Sequence, residues 1–290
     1  MINSNRILEK KRFPYPYIII QNFFEKEFYK NIENDFPKKE SFSDYPNNLK
    51  RMNFDTTYGD EFYSKLISKS ETFRLLHNFI YGDKFIKMFL DLFGEDIKNE
   101  IGHGFLKSDV KNLPLNKNPY EVKKIFGKHN FKKENNVFLY PRLDIGLGEV
   151  GYGINTGGKG IHIDNPQRVI SILFYAGGYT KIDGGEHRIW KKTGDKIEIE
   201  RIIQPKPNLL IASLQNNMSF HDVNPIKKIS GTRNAFYMAI SCSSAVWKNI
   251  KVNDFNLKYN KNRCKLNLFS KLKKYFRKFF FKFIFYNESK

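Results

Sequence analysis

Residues 157–164 read Gly-Gly-Lys-Gly-Ile-His-Ile-Asp. If a strand begins at Ile161, side chains two apart leave the same face, so His162 and Asp164 can hold one ion between them. The His-x-Asp pair is common, and a solvated surface pair is an equally open reading of it in isolation. The surroundings are strand-like. Short β-prone runs at 137–140, 142–146, 169–175, 188–192, 196–203, 209–213 and 235–241 are each bounded by Gly, Pro, Asn or Asp. Thr193-Gly194-Asp195 stands between two of them as a hairpin turn. Many short strands with no helical pattern between them predict an antiparallel sandwich or barrel.

The first hundred residues have a different texture. Phe13-Pro14-Tyr15-Pro16 leads into a single β-branched run at 17–20. Helical spacing follows at 25–36, where Phe24, Phe28, Ile32 and Phe36 recur every four residues, and again at 70–93, interrupted at Gly82. These aromatic stripes predict packing helices, and the chain as a whole is expected to be α+β. Residues 102–136 form a Lys/Asn-rich segment long enough to lie over a site. The expected organisation is a supporting region at 1–136 that includes this insertion, a β core at 137–247 and a tail at 248–290.

A third candidate ligand, His221, comes just after the run 209–213. Two imidazoles and one carboxylate on a β scaffold match the facial triad of non-haem iron sites, which leaves coordination positions open. A dicarboxylic oxo-acid filling them needs a cation for its far end. Arg233, 12 residues after His221 and leading into the run 235–241, offers a planar fork for a carboxylate. Lys227 and Lys228 are competitors in a turn where solvated residues are expected. His187 is expected on a hairpin surface, and His77, His103 and His129 fit no ligand spacing.

The ordered series His162-x-Asp164, Gly184-Gly185-Glu186, Gln204-Pro205-Lys206-Pro207, His221-Asp222-Val223-Asn224-Pro225 and Gly231-Thr232-Arg233 resembles the Fe(II)/2-oxoglutarate-dependent dioxygenases, in their prolyl-4-hydroxylase-like branch. Phe13-Pro14-Tyr15-Pro16-Tyr17 with Asn22-Phe23-Phe24 is similar to the start of many bacterial members. The resemblance spans roughly residues 13 to 245. It implies a double-stranded β-helix, or jelly roll, with N-terminal packing helices. It further implies His162, Asp164 and His221 as iron ligands and Arg233 as the partner of the 2-oxoglutarate C5 carboxylate. Tyr152 is the nearest match to an assisting tyrosine, with ordinary packing as its other reading. The cofactors implied are Fe(II), 2-oxoglutarate as co-substrate and O2, with ascorbate as an optional addition.

The implied reaction is hydroxylation of an unactivated C–H bond in a peptidyl residue, a glycan or lipid-linked intermediate, or a small molecule, with release of succinate and CO2. Asp164 stands against a halogenase, which replaces this carboxylate by a small residue. The Arg233 spacing departs from the family, where about ten residues are usual, and His187 stands where Thr is usual. The alternatives are a β-helix binding module that has lost iron and a cupin-like metal protein that uses no 2-oxoglutarate.

The net charge is +20 over 290 residues, but it is unevenly placed. Residues 248–290 carry 13 Lys/Arg against Asp254 and Glu288, leaving only +9 for the rest. Within 265–286, Phe269, Leu272, Phe276, Phe279 and Phe283 recur at helical spacing opposite a row of lysines and Arg277, which predicts a basic C-terminal helix. That pattern suits an anionic membrane surface. Packing on the body of the protein or a homodimer contact competes with it, and nucleic acid fits less well because the aromatics form one stripe. Two cysteines, Cys242 and Cys264, make no disulfide framework. No apolar run of signal-peptide or membrane-spanning length is present, so the expected location is cytoplasmic, peripheral at the inner membrane face.

Overall fold

The computed structural model describes residues 1–43, 52–55, 60–99, 110–118, 137–150, 160–194 and 196–247. Tyr152, His103, His129, Cys264, most of the 102–136 insertion and the tail lie outside the described residues. The β strands, in chain order, are β1 (Ile7–Lys11), β2 (Tyr17–Gln21), β3 (Met52–Asp55), β4 (Leu139–Gly148), β5 (Arg168–Asp183), β6 (His187–Thr193), β7 (Lys196–Ile203), β8 (Leu209–Leu214), β9 (His221–Val223) and β10 (Lys228–Cys242). The helices are α1 (Lys26–Asp35), α2 (Lys39–Ser43), α3 (Asp60–Lys69), α4 (Glu71–Ile80), α5 (Asp83–Leu92) and α6 (Gly94–Asn99). Among the described residues, no helix is long and apolar enough to cross a membrane.

Two antiparallel sheets form the core. The larger runs β1-β2-β8-β5-β10-β4-β3 and the smaller β7-β6-β9. The chain alternates between them. It leaves β4 in the large sheet, touches the small one where His162 bridges His221, returns as β5, crosses to β6 and β7, and comes back as β8. It then crosses to β9 and ends in β10. This alternation is the double-stranded β-helix, and the whole is α+β. The strand expected from Ile161 is reduced to that single bridge. Asn165 turns the chain through bonds from Gln167 N to its Oδ1 (3.0 Å) and from Arg168 N to its carbonyl (2.8 Å), and Pro166 has no N–H for a ladder.

The two faces of the large sheet have different company. On the outer face Phe236 of β10 and Phe174 of β5 stack at 5.5 Å. Phe36, just past α1, stacks on Phe236 at 5.8 Å, and Phe73 of α4 meets it edge-on at 5.9 Å. The predicted aromatic stripes are therefore the lid of this face. Ser70 caps α4 by accepting from Phe73 N and donates to Asp35 at 2.6 Å, tying α4 to the end of α1. Gly82 marks the break between α4 and α5, where a Cβ would lie 2.8 Å from Asn78 O. On the inner face Tyr17, Ile19, Leu173, Tyr175, Leu209, Ile211 and Ala235 pack with Ile189 and Ile203 of the small sheet.

The runs at 137–140 and 142–146 form one strand, β4, which continues through Pro141. The turn at Thr193-Gly194 joins β6 to β7, with Thr193 paired to Lys196 and Gly194 at φ 58°. Truncating Phe236 to Ala should cost about 3–5 kcal/mol in urea unfolding, because its cavity lies between sheet and helices. Leu75, an exposed residue of α4, should tolerate Ala within about 0.5 kcal/mol.

Candidate metal centre

Strand register decides which side chains reach the space between the sheets. Residues directly opposite in an antiparallel pair share a face. In β6 and β9, His187 pairs with Val223 and Ile189 with His221, so these four share the inner face. Arg188 and Asp222 are opposite one another on the outer face. There Asp222 accepts from Arg188 at 2.8 and 2.5 Å and from Trp190 Nε1 at 2.8 Å. This pair, with Asp222 buried and Arg188 half-buried, pins β9, only three residues long, and with it the backbone of His221.

His162 and His221 exchange both backbone hydrogen bonds, at 3.1 and 3.0 Å, which brings their rings to a centroid distance of 4.5 Å. The Nδ1 of His162 donates to Gly160 O at 2.7 Å and that of His221 to Ser219 O at 2.8 Å. A carbonyl can only accept, so Nδ1 carries the proton in each ring and Nε2 keeps its lone pair. Both Nε2 atoms face Asp164, each 3.9 Å from one of its oxygens. The ligand atoms of His162, Asp164 and His221 all lie within 4.8 Å of one another.

Asp164 is held as a carboxylate. Burial alone would raise its pKa, but the Arg168 guanidinium, the two histidines when they carry a proton, and the Ser171 hydroxyl together outweigh burial and hold it well below the usual carboxylate range. Ser171 donates to Oδ2 at 2.6 Å and Arg168 lies 3.6 Å from the same oxygen. Two imidazole lone pairs and an ionised carboxylate converging within 4.8 Å fit a divalent metal with mixed N/O ligands.

Arg233 of β10 lies on the same inner side and is fully buried. Its Nη1 donates to Gly185 O at 3.0 Å, its Nη2 to Tyr237 Oη at 2.6 Å, and its guanidinium lies 5.7 Å from the Tyr175 ring. Lys227 and Lys228 are exposed instead. The pair Gly184-Gly185 makes this approach possible. Both have positive φ, a Cβ on Gly184 would collide with Pro225 O, and one on Gly185 would lie 3.3 Å from the Arg233 side chain.

Tyr179 Oη and His187 Nδ1 are buried in this region and have no hydrogen-bond partner among the described residues. Burial pushes the Tyr179 hydroxyl up to about 12 against the pull of Arg233. Burial, reinforced by His221, His162 and Arg233, pushes the His187 imidazole down to about 3. An anionic ligand with oxygens at both ends fits this lining, because it could use these groups and the buried guanidinium together.

The expectation of a surface His187 is overturned. It is 7% exposed, with its ring 5.6 Å from that of His221. The hairpin turn belongs to the far end of β6, while His187 begins the strand with its side chain inward. Sequence reasoning also passed over Tyr237, Ser171 and Arg168. Tyr237 was accessible from the strand period, since it is four residues after Arg233 and shares its face. His77, which fits no ligand spacing, meets the Tyr63 hydroxyl at 2.9 Å.

No protein-family model matches the chain, and no curated protein sequence matches it. Among solved structures it is similar to a prolyl 4-hydroxylase from Phytophthora capsici, at 14% identity and a TM-score of 0.42, covering 78% of this chain. The chain spans 58% of the length of that protein. It is similar to the viral collagen prolyl hydroxylase vCPH of Paramecium Bursaria Chlorella virus-1, in a 2OG complex, at 14% identity and a TM-score of 0.35, covering 77% of this chain and 94% of that one. A prolyl-4-hydroxylase from Pseudomonas putida follows at 16% identity and a TM-score of 0.27, covering 42% and 58%.

Replacing Arg188 by Met leaves the Asp222 carboxylate buried beside Trp190 alone. The expected cost is about 3 kcal/mol in chemical denaturation. Added Mn(II) should recover less stability in this variant than in the wild type, because His221 is held through β9.

Proposed function

We propose that this chain is an Fe(II)/2-oxoglutarate-dependent oxygenase of the prolyl-4-hydroxylase-like kind. It hydroxylates an unactivated C–H bond of a peptidyl residue, a glycan or lipid intermediate, or a small molecule, and releases succinate and CO2. The observation that carries this is the convergence of His162, Asp164 and His221 within 4.8 Å on a double-stranded β-helix, with Arg233 buried on the same inner side. Bound Fe(II) would supply the dioxygen chemistry that couples oxidative decarboxylation of the oxo-acid to C–H hydroxylation.

The residues divide the work. His162 and His221 present Nε2, oriented by the carbonyls that accept from Nδ1. Asp164 presents its carboxylate, with Ser171 and Arg168 held at Oδ2. Arg233, pre-aimed by Gly185 O and Tyr237, pairs with the far carboxylate of 2-oxoglutarate, and Tyr179 Oη donates to the same end. Ile189, Leu173 and Tyr175 keep the floor of the site dry, which strengthens each charge-assisted bond.

Wild-type protein given Fe(II), 2-oxoglutarate and O2 should form succinate, detectable by mass spectrometry even without a substrate. His162→Ala should reduce that rate on the order of hundredfold or more, since loss of a ligand exceeds the effect of losing a ligand's outer partner. Absence of succinate from a wild type that binds Fe(II) would sink the proposal. Arg233→Gln should weaken 2-oxoglutarate binding about ten- to hundredfold, as expected for a lost hydrogen-bonded charge, with Mn(II) affinity unchanged in titration calorimetry.

A further inference from the structure

Among the described residues, His187 is the one imidazole of the inner face that no local bond orients. The ligand candidates His162 and His221 each spend Nδ1 on a carbonyl two residues back in the chain. The Nδ1 of His187 is buried and has no partner among the described residues. A buried polar atom of this kind costs free energy in the fold, and folded chains normally satisfy it. His187 is not drawn into the metal group, whose three members exclude it, and its ring stays 5.6 Å from that of His221.

Among the described residues, His221 of β9, His162 and Asp164 of the segment before β5, and Arg233 of β10 are near enough to act on it electrostatically. From β5, Tyr175 Oη donates to Gly185 O at 3.3 Å. The same Gly185 carbonyl holds the Arg233 guanidinium. His187 therefore neighbours His221 on one side and, two residues from Gly185 in the chain, the carbonyl that holds the buried cation on the other.

We propose that His187 is a specificity-determining residue that hydrogen-bonds a 2-oxo diacid at the end nearer His221, completing a three-point grip with the metal centre and Arg233. This rests on the oxygenase function proposed above and adds to it the residue that selects the acid. A β-strand places this imidazole rigidly, so an acid with a different spacing between its ends loses either this bond or the one to Arg233. His187 acts on the ligand directly, and its loss should leave the metal ligands in place.

The test uses the full chain loaded with Mn(II), with 2-oxoglutarate affinity and Mn(II) affinity measured separately by titration calorimetry. His187→Leu should weaken 2-oxoglutarate binding about tenfold or more, with Mn(II) affinity within about twofold of wild type. His187→Asn, which keeps an N–H donor, should recover part of that loss. Unchanged 2-oxoglutarate affinity in the Leu variant overturns the proposal, and so does a parallel loss of Mn(II) affinity, which would make His187 a metal ligand. Should the Leu variant fail to fold, nitrogen-15 imidazole spectra of the wild type loaded with Zn(II) decide the matter. A third imidazole, distinct from the two metal-bound ones, should shift when 2-oxoglutarate is added, and no such shift overturns the assignment. A wild type that binds Mn(II) but no 2-oxoglutarate sinks the oxygenase proposal itself, whereas wild-type binding that the Leu variant matches sinks only the role of His187.

Discussion

Asp164 must stay charged between two sheets, in a place where a carboxylate without partners would take up a proton. Arg168 and Ser171 satisfy Oδ2 from the strand it precedes, β5; His221 Nε2 also lies 3.9 Å from Oδ2, and His162 Nε2 lies 3.9 Å from Oδ1. Much of the local architecture supplies these neighbours. The turn at Asn165 sets Asp164 back from β5, and the reciprocal backbone bonds of His162 and His221 close the small sheet over it. Outside, the Arg188–Asp222 pair fixes β9. A carboxylate and two oriented imidazoles thus converge because the two sheets of the fold are stitched together at this point.

The same stitching separates two jobs along the inner face. One end concentrates metal-binding atoms. The other holds a guanidinium that is desolvated but already aimed by Tyr237 and a carbonyl, so little reorganisation would be needed for the proposed anion. The outer face of the large sheet, sealed by Phe236, Phe174 and the helices, contributes rigidity. Precision at the site depends on that seal, because β5 and β10 carry Ser171 and Arg233 on one side and the stacked rings on the other.

The sequence made the local features readable. β7 has the predicted bounds 196–203, the turn at Thr193-Gly194 and the break at Gly82 were visible, and the order of His162, Asp164, His221 and Arg233 was enough to single them out. What escaped depends on contacts far apart in the chain. β1 shows no alternation, and it is held by pairing with β2 and by the ion pair of Glu9 with Arg201, 192 residues away. β9 is too short for a periodicity argument and exists because it pairs with β6. His187 was misplaced for the same reason. Its inward direction follows from register with Val223 across the sheet, and nothing next to it in the chain encodes that.

The central claim is that two imidazoles and one carboxylate of this chain, and no third imidazole, hold a divalent iron ion. X-ray absorption spectroscopy of the Fe(II)-loaded full chain addresses it directly, because imidazole rings leave a countable multiple-scattering signature. The account predicts two imidazoles with the remaining positions filled by oxygen, falling to one in His221→Ala. Three imidazoles at the iron, or a shell with none, would contradict it.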